Sequence, residues 1–588
     1  MIQANVWKQS REGPQRRAVP ERKVLLWLAL LFLWAIGGCN GQPAVDVGPE
    51  SFQVSLTVDG TTHNLTTDAA NVRELLEEAG VSTEPTDEIT PPPFTPLQDG
   101  MTVSVVRVSE QIEVIEESIP FTRRTVRSEA LGADEPPRII QGGRAGLQEI
   151  RVRVIFRDGE EVERQRTQVT LIEEPQDEIV MVGVGANPGA VSFPGVIAYL
   201  SGGNTVLLRG STVLPEQIET GGNLDGRVFS LSPTGSHLLY TRIMSDTGQF
   251  NNSLWVVRTE RGAEPQRLGV DNVLWADWNP SLTGSREIAY TTGNPVDQPP
   301  GWEANNDLWV AGLRNSDDSL ANPRQVVEAY PATYGWWGGN YAWSPSGRYI
   351  AYSYADEVGV IDLEAGAADR RVQLHTFTEY NTRANWVWVP SLTWAPDGGY
   401  LAFTAHGGND PEGMFFDTWV ANVANGVAGR FVEQAGMWSH PYWSPFVDRT
   451  GQRESQIAFL KASTPLDSLR SNYTLWLMDA DGSNARQIYP AAGENSRFPR
   501  ERQFMAWGPT GRDMAFIFND DLYLFSVGDE RAYRVTEDDI AASRPTWAPY
   551  GAAITSEDAG DGSVAPIRID PEEDDPLRDL RDRIPGKE

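Results

Sequence analysis

The stretch YAWSPSGRYIAYS, residues 341–353, decides how this chain is read. An apolar strand runs into a tight Ser-Pro-x-Gly turn, and a second apolar strand follows. Six further stretches repeat the pattern: FSLSPTGSHLLYT (229–241), ADWNPSLTGSREIAYT (276–291), LTWAPDGGYLAFT (392–404), PYWSPFVDRTGQRESQIAFL (441–460), MAWGPTGRDMAFIF (505–518) and PTWAPYGAAIT (545–555). The anchoring prolines, Pro233, Pro280, Pro345, Pro396, Pro445, Pro509 and Pro549, recur at intervals of 40 to 65 residues. Proline cannot donate a ladder hydrogen bond, so it ends the strand that carries it. The tryptophan that usually stands two residues earlier is bulky enough to fill the gap between neighbouring units. Complete units continue into another strand, as in NSLWVVRT, NDLWVAGL, DEVGVIDL, FDTWVANV, YTLWLMDADG and DDLYLFSVG. Several short antiparallel strands repeating at this period describe the blades of a β-propeller.

The two ends of the repeat region complement each other. VIAYLSGGNTVLLRGS (196–211) reads as the later strands of a blade lacking its first, and PTWAPYGA reads as a first strand lacking its followers. Pairing them makes a composite blade and leaves no open sheet edge. Seven blades over residues 190–556 is the expectation, with six as the alternative. The repeats resemble the TolB-like, PD-type propeller units of bacterial envelope proteins.

Two smaller modules precede the propeller. In residues 51–108, FQVSLTVDGTTHNLTT alternates about Asp59-Gly60, a dipeptide suited to a tight hairpin. DAANVRELLEEAG then changes period, placing Val72, Leu75, Leu76 and Ala79 on one helical face, with Asp68 as candidate cap and Gly80 as stop. A further strand, MTVSVVRVS, completes a small α+β unit. The hairpin, ELLEEAG and QDGMTVSV resemble the ubiquitin-like domain of bacterial cell-wall proteins such as resuscitation-promoting factors. Residues 109–185 read as nearly continuous strand, with a second turn at Asp158-Gly159 and so few apolar residues per strand that the sheet must be thin and solvated on one face. ESIPFTRRTV, IIQGGRAGLQEIRVRV and DEIVMVG resemble the G-five domain, a bacterial surface module, with Gly142, Gly143, Gly146, Gly159 and Gly183 at its glycine positions. The resemblance implies association with the cell wall, with peptidoglycan or another N-acetylglucosamine polymer as the expected partner; the plainer alternative is a spacer that lifts the propeller. The fold expected is therefore mainly β: a ubiquitin-like unit, an elongated G-five sheet and a six- or seven-bladed propeller.

The only cysteine of the 588 residues, Cys39, ends an apolar run. Thirteen residues, Val24 to Ile36, are too few for a comfortable membrane span and match the core of an export signal behind Lys8, Arg11, Arg16, Arg17, Arg22 and Lys23. Ile36-Gly37-Gly38-Cys39 resembles the bacterial lipobox, which implies a signal peptide over 1–38, lipidation of Cys39 and attachment to the extracytoplasmic side of a membrane through a tether at 39–50. One thiol forms no internal disulfide, so the exported part relies on packed cores. Residues 557–588 are a charged tail with too little apolar surface to fold.

Net charge is −32, with 81 acidic against 49 basic residues, which argues against nucleic acid as a partner. No Gly-x-Ser-x-Gly elbow, phosphate loop or paired histidine spacing occurs, and the expectation is a non-enzymatic protein with no metal and no cofactor. The alternative, an enzyme acting on envelope polysaccharide or peptide, has no residues to name. Candidate ligand contacts are aromatic. Of 20 tryptophans, Trp336, Trp337, Trp386, Trp388 and Trp438 lie just ahead of first strands on three successive blades. Arg497, Arg500 and Arg502 stand in an adjacent loop. Flat rings beside guanidinium groups suit a sugar bearing an anionic substituent, or a peptide; the same tryptophans could instead staple the loops together. Cell-wall polymer or envelope proteins are the expected partners, besides the membrane itself.

Overall fold

The structure is a computed structural model that describes residues 51–128, 131, 135–183, 191–244, 250–281, 286–366, 370–449, 452–536 and 540–549. The expected signal peptide, Cys39, the tether and the acidic tail lie outside the described residues. The described residues form two compact units, the larger holding those from Val105 onward and with them both the G-five module and the propeller.

The small unit follows the sequence pattern closely. Phe52–Val58 and Thr61–Thr67 pair about Asp59-Gly60, both with positive φ, the geometry of a primed hairpin turn. The helix is shorter than the pattern predicts, Val72–Glu78, and its cap is Asn71 rather than Asp68: the Asn71 side chain accepts from the Glu74 amide at 3.1 Å. Glu74 reaches back to the Ala70 amide at 2.9 Å, so a shorter helix satisfies its own first turn. Val72, Leu75 and Leu76 face Val54, Leu56 and Val103 in the core.

The G-five module consists of two three-stranded sheets. Val108–Ile119, Gly146–Arg157 and Glu160–Glu173 form a long antiparallel ribbon whose hydrophobic cluster is Ile115, Ile150, Val152 and Val154. Ile112, Val114, Leu171 and Ile172 of the same ribbon are exposed. The second sheet aligns Arg123–Ser128 parallel to Glu178–Gly183, with Arg138–Gln141 on the other side. Gly143 is required by close approach, because a Cβ there would fall 2.2 Å from the Phe121 ring.

Among the described residues of 192–548, seven sheets with a four-stranded path radiate from a common axis; the third carries a fifth strand, Trp302–Ala304, and Val447–Arg449 pairs with Gln452–Glu454 as a small separate hairpin. The first blade is composite: Ala542–Ala548 is its inner strand and pairs antiparallel with Ser192–Ser201, Val196 facing Ala548. The inner strands that follow are Leu224–Leu231, Val273–Trp278, Asn340–Trp343, Leu392–Trp394, Tyr442–Trp443 and Met505–Trp507. Ring closure is written in the core. Seven hydrophobic clusters fill the seven gaps between adjacent blades; one joins Ile517 and Leu524 of the seventh blade to Ile197 and Tyr199 of the first. The anchoring tryptophans stitch blade to blade as well. Trp278, Trp343, Trp394 and Trp507 donate their indole N–H to Ser230, Asp277, Ala342 and Tyr442 carbonyls on the preceding inner strand, at 3.0–3.3 Å. In the turns that follow, the Gly347 amide bonds the Ser344 carbonyl at 3.0 Å, a β-turn with proline at its second position.

The G-five module docks on the loops at the far ends of the first inner strands. Arg123, whose side chain is fully buried, pairs with Glu178 at 2.5 Å and with Glu216 of the composite blade, and donates to the Val213 and Leu214 carbonyls. Arg261 pairs with Glu178 at 2.8 Å and Glu216 at 3.0 Å. Phe121 lies under Arg209 and Arg261, 4.8 and 5.8 Å from ring centroid to guanidinium. Thr234 donates to the buried Glu117 at 2.6 Å. The charges here are densely cross-paired, which fixes the angle between module and propeller.

Candidate functional site

The loops that enter the inner strands surround the opposite mouth of the propeller. Trp336 and Trp337 lie in a 3-10 turn, Gly335–Trp337, immediately before the fourth inner strand. Trp337 meets Trp336 edge-on at 5.8 Å and Trp302 at 5.1 Å, and the Trp302 indole N–H donates to the Trp337 carbonyl at 3.1 Å. Arg227, on the second inner strand, covers the Trp302 ring at 4.4 Å and Phe250 at 5.0 Å. Trp275, Trp302 and Trp337 with Arg227, Arg502 and Asn340 line a cavity of about 160 Å3. A larger cavity of about 360 Å3 lies between the G-five glycine loop and the propeller, but Arg258 and Arg286 there are committed to Asp318 and Arg261 to Glu178 and Glu216.

The structure splits the aromatic sector in two. Trp386 and Trp438 stack on each other at 5.9 Å and form a separate patch. Trp388 corrects the expectation of an accessible ring: it is 2% exposed, meets Phe416 edge-on at 4.8 Å, and donates to the Met437 carbonyl at 2.9 Å. Its spacing ahead of the proline matches that of Trp337, but Tyr380, Phe416 and Met437 close over it, so it is a staple. Of the three arginines, only Arg502 borders the cavity; Arg497 instead donates to Asn519 at 3.1 Å. Arg500 contributes its carbonyl, which accepts from His440 at 3.0 Å. Trp302, Arg227 and Arg544 were not singled out from the sequence. Trp302 sits in a strand added to the third blade, Trp302–Ala304, that breaks the repeat spacing. Arg227 and Arg544 lie inside inner strands, where the repeat pattern marks core rather than contact.

Burial holds Arg227 below its ordinary range, with the Asp225 charge opposing the shift and the neighbouring Arg544 adding to it. Arg502 is pushed down to about 10 by the protein atoms crowded around it and by the Arg544 charge, although its side chain still meets solvent in the channel, which softens the effect. Among the described residues, no group of three or more His, Cys, Asp or Glu is placed to hold a metal, and no helix is long and apolar enough to cross a membrane.

With this geometry in place, the chain can be set beside known proteins. Residues 110–184 match the G5 domain and residues 54–93 the G5-linked ubiquitin-like domain. A segment of 122 residues is 31% identical to the resuscitation-promoting factor RpfB of Mycolicibacterium smegmatis, covering 21% of this chain and 33% of that protein. The chain thus spans about a third of the length of the curated relative it matches. Among solved structures, the putative TolB from Agrobacterium tumefaciens is similar over 49% of this chain and 94% of its own, at 15% identity and a TM-score of 0.27. The G5 structure HP0197-G5 is similar over 13% of this chain and 99% of its own, at 19% identity and a TM-score of 0.13. The class is that of a surface-associated protein. In particular, the chain joins a G5-linked ubiquitin-like domain and a G5 domain to a seven-bladed propeller.

Proposed function

We propose that this protein is a non-enzymatic lipoprotein of the bacterial cell surface, anchored through Cys39, whose propeller binds an envelope glycan or peptide at the aromatic mouth. The observation that carries the reading is the cavity walled by Trp275, Trp302 and Trp337 with Arg227 and Arg502, which lies at the mouth facing away from the docked G-five module. Aromatic rings offer stacking area at little entropic cost, and aromatic and arginine side chains concentrate binding energy. The lipobox Ile36-Gly37-Gly38-Cys39 supports the anchor, and the G-five and ubiquitin-like modules support placement near the cell wall. The test is to incubate the purified protein with cell-envelope fragments, scoring both retention and released products. Retention that Trp337→Ala weakens, with no new product, is expected; release of cleaved polymer would overturn the non-enzymatic reading. Cys39→Ala is expected to abolish fatty-acid labelling, and a labelled variant would refute the anchor.

A further inference from the structure

Three guanidinium groups converge in the propeller channel. Arg227 stands on the second inner strand, Arg544 on the composite one and Arg502 just ahead of the seventh, so they occupy three neighbouring blades. Arg544 crosses Gly226 so closely that a Cβ there would lie 3.0 Å from its Nε, and the Gly226 φ of +67° lets the second inner strand make room. Neighbouring bonds hold the arc in place. The Tyr442 hydroxyl donates to the Arg502 carbonyl, and Gln503 donates to the Phe229 carbonyl at 2.7 Å.

The arc is short of anionic partners. Among the described residues no carboxylate pairs with Arg227 or Arg502, and Arg544 meets only the exposed Glu501, at 3.7 Å. Asp225, the nearest carboxylate in sequence to Arg227, is engaged by the Thr241 hydroxyl, by Asn252 at 2.8 Å and by the Arg227 backbone amide at 3.0 Å. Beyond burial, the Arg544 charge pushes both Arg227 and Arg502 down, as like charges gathered within a protein wall do, while Asp225 opposes the shift at Arg227. In a chain of net charge −32, this local excess of positive charge needs an external anion to relieve it. Glu501 and Asp225 offset part of the three positive charges, and three guanidinium forks gathered from three blades fit the several oxygens of a phosphate group better than the two of a carboxylate.

We propose that Arg227, Arg502 and Arg544 hold an oxyanion of the phosphate class carried by a sugar ring lying against Trp302 and Trp337. The proposal rests on the binding reading of the same mouth and names its ligand as a sugar phosphate, either free or displayed on an envelope polymer. The test is titration calorimetry of the whole protein at low salt with glucose 6-phosphate, glucose, glucuronate and inorganic phosphate. Glucose 6-phosphate is expected to bind, and glucuronate and phosphate at least about tenfold more weakly, with glucose giving no heat. Arg502→Gln and Arg544→Gln are each expected to weaken glucose 6-phosphate by about tenfold or more, the loss of one charge-assisted hydrogen bond. Arg502→Lys, which keeps the charge but loses the fork, should fall between wild type and Arg502→Gln. Equal affinity for glucuronate overturns the phosphate class, and equal affinity for phosphate overturns the ring contact. Unchanged affinity in the folded arginine variants overturns the whole proposal. Retention of envelope polymer that disappears after phosphatase treatment identifies the displayed form; retention that survives it, with glucose 6-phosphate still bound, identifies the free form. If glucose 6-phosphate fails to bind while Trp337→Ala still weakens envelope retention, this inference falls and the binding reading stands.

Discussion

His440 makes an acid-sensitive joint at the propeller mouth. It is buried in the loop before the sixth inner strand, with Nε2 donating to the Arg500 carbonyl at 3.0 Å and Nδ1 facing the Ser391 hydroxyl at 3.1 Å. One ring therefore ties together loops from the fifth, sixth and seventh blades. Burial depresses its pKa to about 4, with the Arg502 charge adding to the effect and the Arg500 bond opposing it. An unfolded histidine titrates near 6.5. Between pH 6.5 and 4 the unfolded chain takes up a proton that the native ring refuses, so the contribution is complete above 6.5 and lost as the pH falls toward 4. A gap of about 2.5 pH units corresponds to about 3 kcal/mol. His440→Gln keeps a donor for Arg500 and removes the titration. Urea unfolding of wild type and variant at pH 7.5 and pH 4 isolates the effect from the carboxylates common to both. Wild type is expected to lose about 3 kcal/mol more than the variant over that interval. Parallel losses would refute the reasoning, as would a histidine resonance titrating near 6.5 in the native protein.

Three further predictions concern packing. Trp388→Ala should cost about 3–5 kcal/mol in urea unfolding, as Trp394→Ala should, while Trp337→Ala, only half-buried, should cost clearly less. Equal losses for all three would make the cavity wall a staple too. Ending the chain after Ile540 deletes the inner strand Ala542–Ala548 and bares the edge of Ser192–Ser201, so cooperative unfolding should disappear and aggregation appear by light scattering, whereas ending it after residue 560 should change neither. Gly143→Ala drives a methyl into Phe121, which the docked arginines hold, and should cost about 1–3 kcal/mol by calorimetric unfolding; a neutral result would mean that the ring can slide aside.

The propeller was legible because its signals are local and repeated. Each tryptophan-x-proline unit names a strand, a turn and an interblade contact at once, and the mismatched ends at 196–211 and 545–552 named each other as partners. The two Asp-Gly turns were legible for the same reason, since their backbone demands positive φ. The mouth was harder to read. Trp337 and Trp388 share one spacing, and what separates them is the company supplied by other loops: Phe416 and Met437 over Trp388, the channel beside Trp337. Asn71 displaced Asp68 as the cap because a competing side chain three residues ahead of Glu74 satisfied both ends of a capping box. Arg227 and Arg544 escaped notice because nothing local marks a strand residue as facing the axis, and their proximity arises only once the ring has closed.

That closure also sets a clock. Trp547, in the last inner strand, donates to the Pro194 carbonyl at 2.7 Å across 353 residues of sequence. At a synthesis rate of roughly 5–20 residues per second, the strand Ser192–Ser201 waits on the order of 20–70 s for its neighbour. Throughout that interval one side of the first blade is an unpaired edge, available to any extended chain nearby. The modules ahead of residue 185 can mature in seconds, but the channel, with its three arginines drawn from the second, seventh and composite blades, does not exist until the final strand arrives. Binding of the proposed ligand would therefore report that the chain has been made through residue 548 and that its ends have met.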